Sequence, residues 1–249
     1  MIQNPEQKIF NLELLQAIND WQSGGSAKQN QRRGTWLEEL CIKLPEKYRT
    51  CSLMCFRQIA LPKGGVWLLL AENNLKEKIS SWTVDIEIAK EFKGGVPPEG
   101  QGYQGVIFLV MPTIENLIVN LRELYKCPEF QLAIEQHRPN IEGYDKGIGR
   151  YKGNQSEVVL KIESVNQEDV YSLGGHSSPF EKLVGIASDV LYGRITNAEE
   201  KEALLIKVEN CRADAGPRWL SMEATFGVIN RTKPKAEKLA REKKLLQTE

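Results

Sequence analysis

The longest apolar runs of this sequence are only six residues long, and this limits the available folds more than any other feature. They are Val66–Ala71 and Val106–Met111. A helix needs about 20 mostly apolar residues to cross a bilayer, so neither run is long enough to span a membrane. Short apolar runs bounded by Gly and Pro are typical of buried strands. We therefore expect a folded chain whose middle part contains a sheet.

The two ends of the sequence carry helical spacing instead. Apolar residues recur every three to four positions in Phe10–Trp21, and the segments Pro179–Leu191 and Ala198–Val208 are amphipathic in the same way. Helices at both ends around a strand-rich middle predict an α+β fold. The expected organisation is a helical segment at 1–50, a core at 51–172 and a helical extension at 173–249.

Turn residues divide the chain into further expected elements. Strands are predicted at Ser52–Ile59, Val66–Leu70, Val106–Met111 and Glu157–Ile162, with a turn at Pro62–Gly65 between the first two. Helices are predicted at Thr35–Leu44, Val84–Phe92 (starting from Ser80 or Ser81), Ile114–Tyr125, Pro128–Gln136 and Arg231–Glu249, and the chain after Val170 is expected to be helical again. Loops are expected at Gly25–Gly34 and Gly143–Gly153, and a helix N-cap at Thr196 or Asn197.

Charge and cysteine usage exclude several classes of protein. The 33 basic and 33 acidic residues cancel, which argues against a general nucleic-acid coat protein but allows local basic patches. The five scattered cysteines, without a CxxC pair, and the distant His137 and His176 are too few for a zinc site or a disulfide scaffold. We expect no metal, reduced thiols and, because the polar start MIQNPEQKIF shows no signal peptide, a cytoplasmic protein.

A glycine pattern, Gly100-Gln-Gly102-Tyr-Gln-Gly105, matches the dinucleotide-binding motif G-x-G-x-x-G. In that motif the glycines follow a strand and open a helix whose N-terminus holds the pyrophosphate. Here they follow Pro97-Pro98 and lead directly into an apolar strand. The order is reversed, so the pattern predicts a flexible connection rather than a dinucleotide fold.

Three polar motifs interrupt the strand-rich middle of the chain. They are Arg57 at the end of an apolar stretch, Ser81-Trp82-Thr83, and Gln155-Ser156-Glu157 at the start of a predicted strand. Each has an ordinary explanation when taken alone. An arginine at a strand end can pair with a carboxylate, a serine can cap a helix, and a polar pair at a strand edge can be solvated. If the third motif is extended, strand alternation places Gln155 and Glu157 on one side.

Taken in order, the three motifs resemble the arginine–serine–glutamate class of mono-ADP-ribosyltransferases. In that family an early strand carries the arginine, a later junction carries serine, an aromatic residue and serine or threonine, and a further strand begins with E-x-E or Q-x-E. Here Phe56-Arg57, Ser81-Trp82-Thr83 and Gln155-x-Glu157 stand in the same order. The likeness covers about 52–162. It implies a split mixed or antiparallel β-sandwich with flanking helices.

The resemblance also implies roles for individual residues. NAD⁺ is the co-substrate, and cleavage of its nicotinamide–ribose bond builds positive charge on the ribose, as in glycosidase transition states. Glu157 matches the family's catalytic glutamate, which stabilises that charge. Arg57 would hold the phosphates by forked hydrogen bonds. The resemblance further implies NAD⁺-binding positions at Phe56, Ser81 and Thr83. Small residues often follow the family arginine, and Gln58 stands there in this chain.

The same resemblance bears on the acceptor. Gln155 occupies the acceptor-selecting position, where a glutamate is typical of enzymes that modify arginine. Relatives with Q-x-E modify asparagine in proteins or guanine in nucleic acid, so the glutamine argues against arginine and leaves these two acceptors open. Tyr151 would meet the acceptor from the preceding turn. A terminal helix with Arg231, Lys235, Lys238 and further cations can track phosphates or simply be solvated, which favours nucleic acid slightly over protein.

A cytosolic transferase of this kind fits an intracellular toxin or phage-defence effector, kept silent by an antitoxin. Two other classes of function remain open. The chain can be an NAD⁺ glycohydrolase, in which water replaces the macromolecule, or a catalytically inactive binding module on the same fold. Gln155 and Tyr151 favour transfer over hydrolysis because water needs no selecting residue.

Overall fold

The computed structural model describes residues 9–98, 100–175, 179–209 and 218–245. Contacts between residues divide the chain into two compact units. The first unit is Met1–Arg57, Lys76–Ile88 and Leu109–Val165; the second is Gln58–Leu75, Ala89–Phe108 and Asn166–Glu249. Each unit draws on more than one of the segments 1–50, 51–172 and 173–249, and that three-part division stays a prediction.

Helices and an antiparallel sheet together confirm the mixed character expected from the sequence. The strands are β1 (Cys55–Pro62), β2 (Leu75–Lys76), β3 (Ile79–Thr83), β4 (Tyr103–Val110), β5 (Leu117–Asn120), β6 (Glu157–Lys161), β7 (Ser164–Val165) and β8 (Val170–Gly174). Six of them form one sheet in the order β5-β6-β3-β1-β4-β8, and β2 pairs with β7. The apolar runs predicted near Val106 and Val158 are strands of this sheet, as expected.

The helices of the described residues are, in chain order, α1 (Leu12–Gln22), α2 (Ala27–Cys41), α3 (Lys63–Glu72), α4 (Ile86–Glu91), α5 (Leu121–Leu124), α6 (Pro128–His137), α7 (Ile148–Tyr151), α8 (Phe180–Tyr192), α9 (Ala198–Val208) and α10 (Met222–Leu245). The predicted helices at the start of the chain, at Pro128 and at Pro179 are confirmed. Asn197 caps α9 in a capping box with Glu200, as its position in the sequence predicted.

The first unit is organised around the apolar face of α1. Asn11 caps this helix by accepting a hydrogen bond from the backbone of Leu14 at 2.9 Å. Leu15 and Ile18 are fully buried in a cluster with residues of α2, α5 and α6. Phe10, directly before the helix, meets the ring of Phe130 edge to face with centroids 5.4 Å apart. This packing fixes α1 against the sheet side that carries the polar motifs.

The loop expected at Gly25–Gly34 is wrong, because α2 already begins at Ala27. The Ser26 side chain accepts a hydrogen bond from the backbone of Gln29, and the Gln29 side chain accepts one from the backbone of Ser26. This capping box satisfies two backbone donors of the first turn. The polar residues that suggested a loop form the outer side of the helix instead.

The strand expected at Val66–Leu70 is also wrong, because these residues lie in α3. An apolar run of this length fits a buried helix as well as a strand, since it shows no periodicity of its own. Pro62 precedes the first turn and Asn73, in the left-handed conformation, ends the helix. The two glycines expected to form a turn lie in the first helical turn.

Three further boundaries differ from the prediction. Ser80 and Ser81 belong to β3 rather than to a helix start, and α4 begins only at Ile86. The helix expected at Ile114–Tyr125 is largely β5, whose four residues are all buried, followed by the short α5. The chain after Val170 first forms β8. In each case pairing with a distant strand outweighs the local pattern.

Two glycines of the second unit make room for a tryptophan. Gly105 in β4 pairs with Gly174 in β8, and the Trp219 ring lies over both. A Cβ atom on Gly174 would come within 2.5 Å of the Trp219 ring. The Trp219 indole donates a hydrogen bond to the Lys90 carbonyl at 3.0 Å. Gly105, the last glycine of the G-x-G-x-x-G pattern, therefore serves packing within a strand.

We expect Gly174→Ala to destabilise the protein by about 1–3 kcal/mol, because the added methyl group overpacks against the Trp219 ring. Gly185→Ala is the matched control, since its Cβ would meet nothing closer than 3.6 Å within α8. A helix-interior alanine there should stabilise by about 0.5–1 kcal/mol. Urea unfolding of both variants measures the difference, and equal stabilities would contradict this account of the glycine.

Candidate functional site

The Glu157 carboxylate lies at the centre of the polar motifs, in the first unit. It is 5% exposed and begins β6. Ser81 Oγ donates to Oε1 at 2.5 Å, Trp21 Nε1 donates to Oε1 at 2.9 Å, and Gln22 Nε2 donates to Oε2 at 3.0 Å. A carboxylate offers about four acceptor positions. One position on Oε2 therefore remains for a further donor.

Strand register explains why the side chains of Ser81 and Thr83 lie on the same face as that of Glu157. β3 runs antiparallel to β6, with Thr83 opposite Glu157 and Ser81 opposite Val159. Alternation puts the two hydroxyl side chains on one face of β3 and Trp82 on the other. Trp82 is 2% exposed and donates to Ser80 Oγ, so it belongs to the core. In the serine–aromatic–threonine pattern, the two hydroxyl residues thus face the site and the aromatic residue packs in the core.

Thr83 fixes the chain just before the glutamate. Its Oγ1 donates a hydrogen bond to the Gln155 carbonyl at 2.8 Å and accepts one from the Asp85 backbone at 3.1 Å. Ser156 has a φ of 47°, in the left-handed region that residues other than glycine rarely adopt. The chain therefore turns between Gln155 and Glu157. The strand alternation expected to put these two side chains on one face does not apply, because β6 begins only at Glu157.

Arg57 lies on β1, beside the residue that pairs with Thr83. Its Nη1 donates to the Ser81 carbonyl at 2.8 Å, and its Nε lies 3.5 Å from Glu77 Oε2. Among the described residues the buried Nε has no hydrogen-bond partner. The guanidinium thus keeps donors for a ligand, with the Glu77 carboxylate as a nearby competitor. Phe56 joins this group through its pairing with Thr83.

Helix α1 supplies two of the donors to Glu157, and sequence reasoning missed both. Tyr125 Oη donates to Gln22 Oε1 at 2.8 Å, which orients the Gln22 amide with its nitrogen towards Glu157. Burial and then the charge of Glu157 raise the pKa of Tyr125, so the phenol stays protonated and donates. The signal in the sequence was weak: one glutamine, Gln22, directly after the apolar helical stripe that ends at Trp21.

Helix α1 also orders the glycine-rich segment that precedes Gln155. Asn19 Nδ2 donates to the Glu142 carbonyl at 2.9 Å, and the Ile148 backbone donates to Asn19 Oδ1 at 3.0 Å. A Cβ atom on Gly147 would lie 2.2 Å from the Asn19 carbonyl oxygen, so only glycine permits this approach. The expected loop Gly143–Gly153 is therefore only partly correct, since it contains α7.

The two expected acceptor-contacting residues lie around this segment. Tyr151 is the last residue of α7 and half-buried, with the Arg150 guanidinium 5.3 Å from its ring centroid. Gln155 is half-buried, and its amide makes no hydrogen bond to any residue in the described part of the chain. Arg57 donates to the backbone carbonyl of Ser81, and the Ser81 hydroxyl donates to Glu157. Gln155 joins them only through its backbone, and no described hydrogen bond joins Tyr151 to Glu157.

We expect Trp21→Phe to destabilise the protein by about 1–3 kcal/mol, because the buried carboxylate loses a donor while the ring volume is largely kept. In the Glu157→Ala background the same substitution should cost less, since the partner of the indole is gone and only the lost ring volume remains. Urea unfolding of the four proteins of this cycle measures the coupling. A cost that is identical in both backgrounds would show that the indole and the carboxylate do not interact.

Other features of the described residues do not compete for this role. No group of three or more His, Cys, Asp or Glu side chains within them is arranged to hold a metal ion, and His176 and Cys211 lie outside the described residues. No helix among them is both long and apolar enough to cross a bilayer. A cavity of about 500 Å³ in the first unit has Cys51 and Asn120 among its lining residues, and Glu157 is not one of them. No protein-family model, curated protein or solved structure matches the chain.

Proposed function

We propose that this chain is a mono-ADP-ribosyltransferase that cleaves NAD⁺ and transfers the ADP-ribose to a macromolecule. The observation that carries the proposal is the cluster of Arg57, Ser81 and Glu157. These residues come from three distant parts of the sequence and lie on neighbouring strands: the Arg57 guanidinium donates to the backbone carbonyl of Ser81, and the Ser81 hydroxyl donates to the Glu157 carboxylate. The order and the types of these residues agree with the family resemblance. The proposal includes the split β-sandwich core of that family and an intracellular role as a toxin or phage-defence effector with an antitoxin partner.

Glu157 would act on the ribose of NAD⁺. The remaining acceptor position on its Oε2 suits one hydrogen bond from a ribose hydroxyl. Ser81, Trp21 and Gln22 hold the carboxylate in one orientation, so no reorganisation is needed as positive charge builds on the ribose. A fixed negative charge in a poorly hydrated site stabilises such charge more strongly than it would in water.

Arg57 would bind the phosphates. A guanidinium presents donors in a planar fork that matches a phosphate, and among the described residues only one of them is used, by the Ser81 carbonyl. The exposed fraction of its side chain is 26%, so a ligand can reach it. Binding of phosphate has to displace the contact with Glu77, which at 3.5 Å is an ion pair without a hydrogen bond to Nε.

The transfer breaks the bond between the ribose C1′ and the nicotinamide nitrogen, and the nicotinamide leaves with the electron pair as a neutral molecule. A nitrogen or oxygen of the acceptor forms the new bond to C1′ and loses a proton to solvent. Gln155 would select the acceptor. Its amide offers a donor group and an acceptor side by side, which complements a nucleic-acid base or a side-chain amide alike, whereas a neutral group has little attraction for a guanidinium. The exposed cations of α10 favour nucleic acid, so we propose a base in nucleic acid as the acceptor.

Glu157→Ala should abolish transfer and leave the affinity for NAD⁺ largely intact, because the carboxylate acts on the charge that develops during bond cleavage. The measurement is incubation with labelled NAD⁺ and a cell extract, followed by nuclease or protease, with NAD⁺ affinity measured by calorimetry. Label that survives protease but not nuclease supports the nucleic-acid acceptor. The reverse indicates a protein acceptor, such as asparagine or glutamine.

The same experiment separates the other two classes. Free ADP-ribose as the only product indicates a glycohydrolase, and unconsumed NAD⁺ with the unaltered chain indicates a binding module in which Glu157 only stabilises the fold. Glu135→Ala, at an exposed position of α6, is the matched control and should transfer normally. Circular dichroism verifies that the Glu157 variant is folded. Activity retained without the Glu157 carboxylate would remove the catalytic role from it.

Gln155→Ala should reduce transfer to the macromolecule more than it reduces hydrolysis of NAD⁺, since water needs no selecting group. Asn154→Ala is the control, because Asn154 is the exposed neighbour in the same turn. Both rates can be followed in one assay by separating free from bound label. Equal losses of transfer and hydrolysis would show that Gln155 does not select the acceptor.

A further inference from the structure

We infer that one face of α10 binds the phosphate backbone of single-stranded nucleic acid. The face consists of Arg231, Lys235, Lys238 and Arg241, all exposed, and we call it the basic face. Their spacing of four, three and three residues puts them on one side of a helix. Binding of this kind needs no NAD⁺ and does not depend on the proposed transferase activity.

The rest of α10 accounts for its packing without these cations. Ile229 and Ala236 are buried, and Thr225 Oγ1 accepts a hydrogen bond from the Leu173 backbone at 3.1 Å. At 100° per residue these three positions lie on the side opposite to the basic face. The cations therefore do not stabilise the helix by packing, and a solvated row of charge remains.

The charge of this row is poorly compensated. Within the part of the chain that the structure describes, no carboxylate forms an ion pair with Arg231, Lys235 or Arg241, and Lys238 approaches Glu242 only at 3.9 Å. Some exposed cations elsewhere are paired closely, as Lys161 is with Glu38 at 2.8 Å. What distinguishes α10 is that four exposed cations lie on one side of a helix. The side chains of Lys243 and Lys244, also expected to contribute, lie outside the described residues.

The geometry favours one flexible strand over a duplex or a protein. With a rise of about 1.5 Å per residue, the cations follow one another at about 6, 4.5 and 4.5 Å along the helix axis. One narrow row can neutralise successive phosphates of a strand that adjusts its spacing. No aromatic residue lies between Arg231 and Arg241 to stack on bases. The contact should therefore be made to phosphates and be independent of base sequence.

The test is the fluorescence anisotropy of a labelled oligouridine of about 20 nucleotides at several salt concentrations, without NAD⁺. Each phosphate neutralised on a single strand contributes about −0.7 to the slope of log affinity against log salt. Four contacts contribute about −2.8, which corresponds to a loss of about 50-fold between 50 and 200 mM salt. Replacing all four cations with glutamine should remove this contribution, and Lys235→Gln alone should reduce the slope by about 0.7.

The control carries the same change of net charge at exposed positions elsewhere, namely Lys28→Gln, Arg32→Gln, Lys43→Gln and Lys207→Gln. It should bind as the unaltered chain does. Equal losses in both quadruple variants, or no loss in either, would overturn the inference, as would tighter binding of a duplex or of polyglutamate. Circular dichroism checks folding, and the single variant provides the slope if the quadruple one unfolds. The Glu157→Ala protein should bind the oligonucleotide normally, so failure of the transferase proposal can be distinguished from failure of this inference.

Discussion

The burial of the Glu157 carboxylate constrains the packing of the first unit more than any other interaction does. An ionised group moved out of water costs several kcal/mol unless donors replace its hydration. Hydrogen bonds to Glu157 from Ser81 on β3 and from Trp21 and Gln22 on α1 offset that cost. These parts of the chain are far apart in sequence. The donors act only when β3, β6 and α1 are all in place. The N-terminal helix is thus part of the site rather than an accessory to it.

The same hydrogen bonds meet a structural requirement and, under the proposed function, a catalytic one. Three donors on two oxygens stabilise the fold, and they also fix the direction of the one acceptor position that stays available. The chain reaches this arrangement through local backbone strain. Ser156 adopts a left-handed conformation and Gly153, with a φ of 79°, lies against Tyr125, which orients Gln22. Strain of this kind persists only where the surroundings enforce it, and it is common at functional sites.

Sequence patterns predicted the parts of this arrangement that depend on local information. The strand at Glu157 follows from its apolar run. The strand at Ile79–Thr83 was not predicted, because Ser80 and Ser81 were expected to start a helix. The donors of α1 were not predictable in this way, because a hydrogen bond between residues 21 and 157 leaves no periodic trace in either segment. Val66–Leu70 was misassigned for a different reason. Five successive apolar residues carry no period, and Pro62 at the helix start decides between the two structures.

A net charge of zero does not describe how charge is distributed over the surface of the protein. Equal numbers of acidic and basic residues argue against a protein that coats nucleic acid over its whole surface. A contact with a single nucleic-acid strand, however, depends on the protein charges within about 10 Å of it. At 0.1 M salt, interactions over longer distances are largely screened. Lys161 and Arg194 each form a close ion pair with a carboxylate, so their positive charge is neutralised within this distance. Among the described side chains of the basic face, only Lys238 meets a carboxylate, that of Glu242 at 3.9 Å, so the field of this face reaches the solvent although the chain as a whole is neutral.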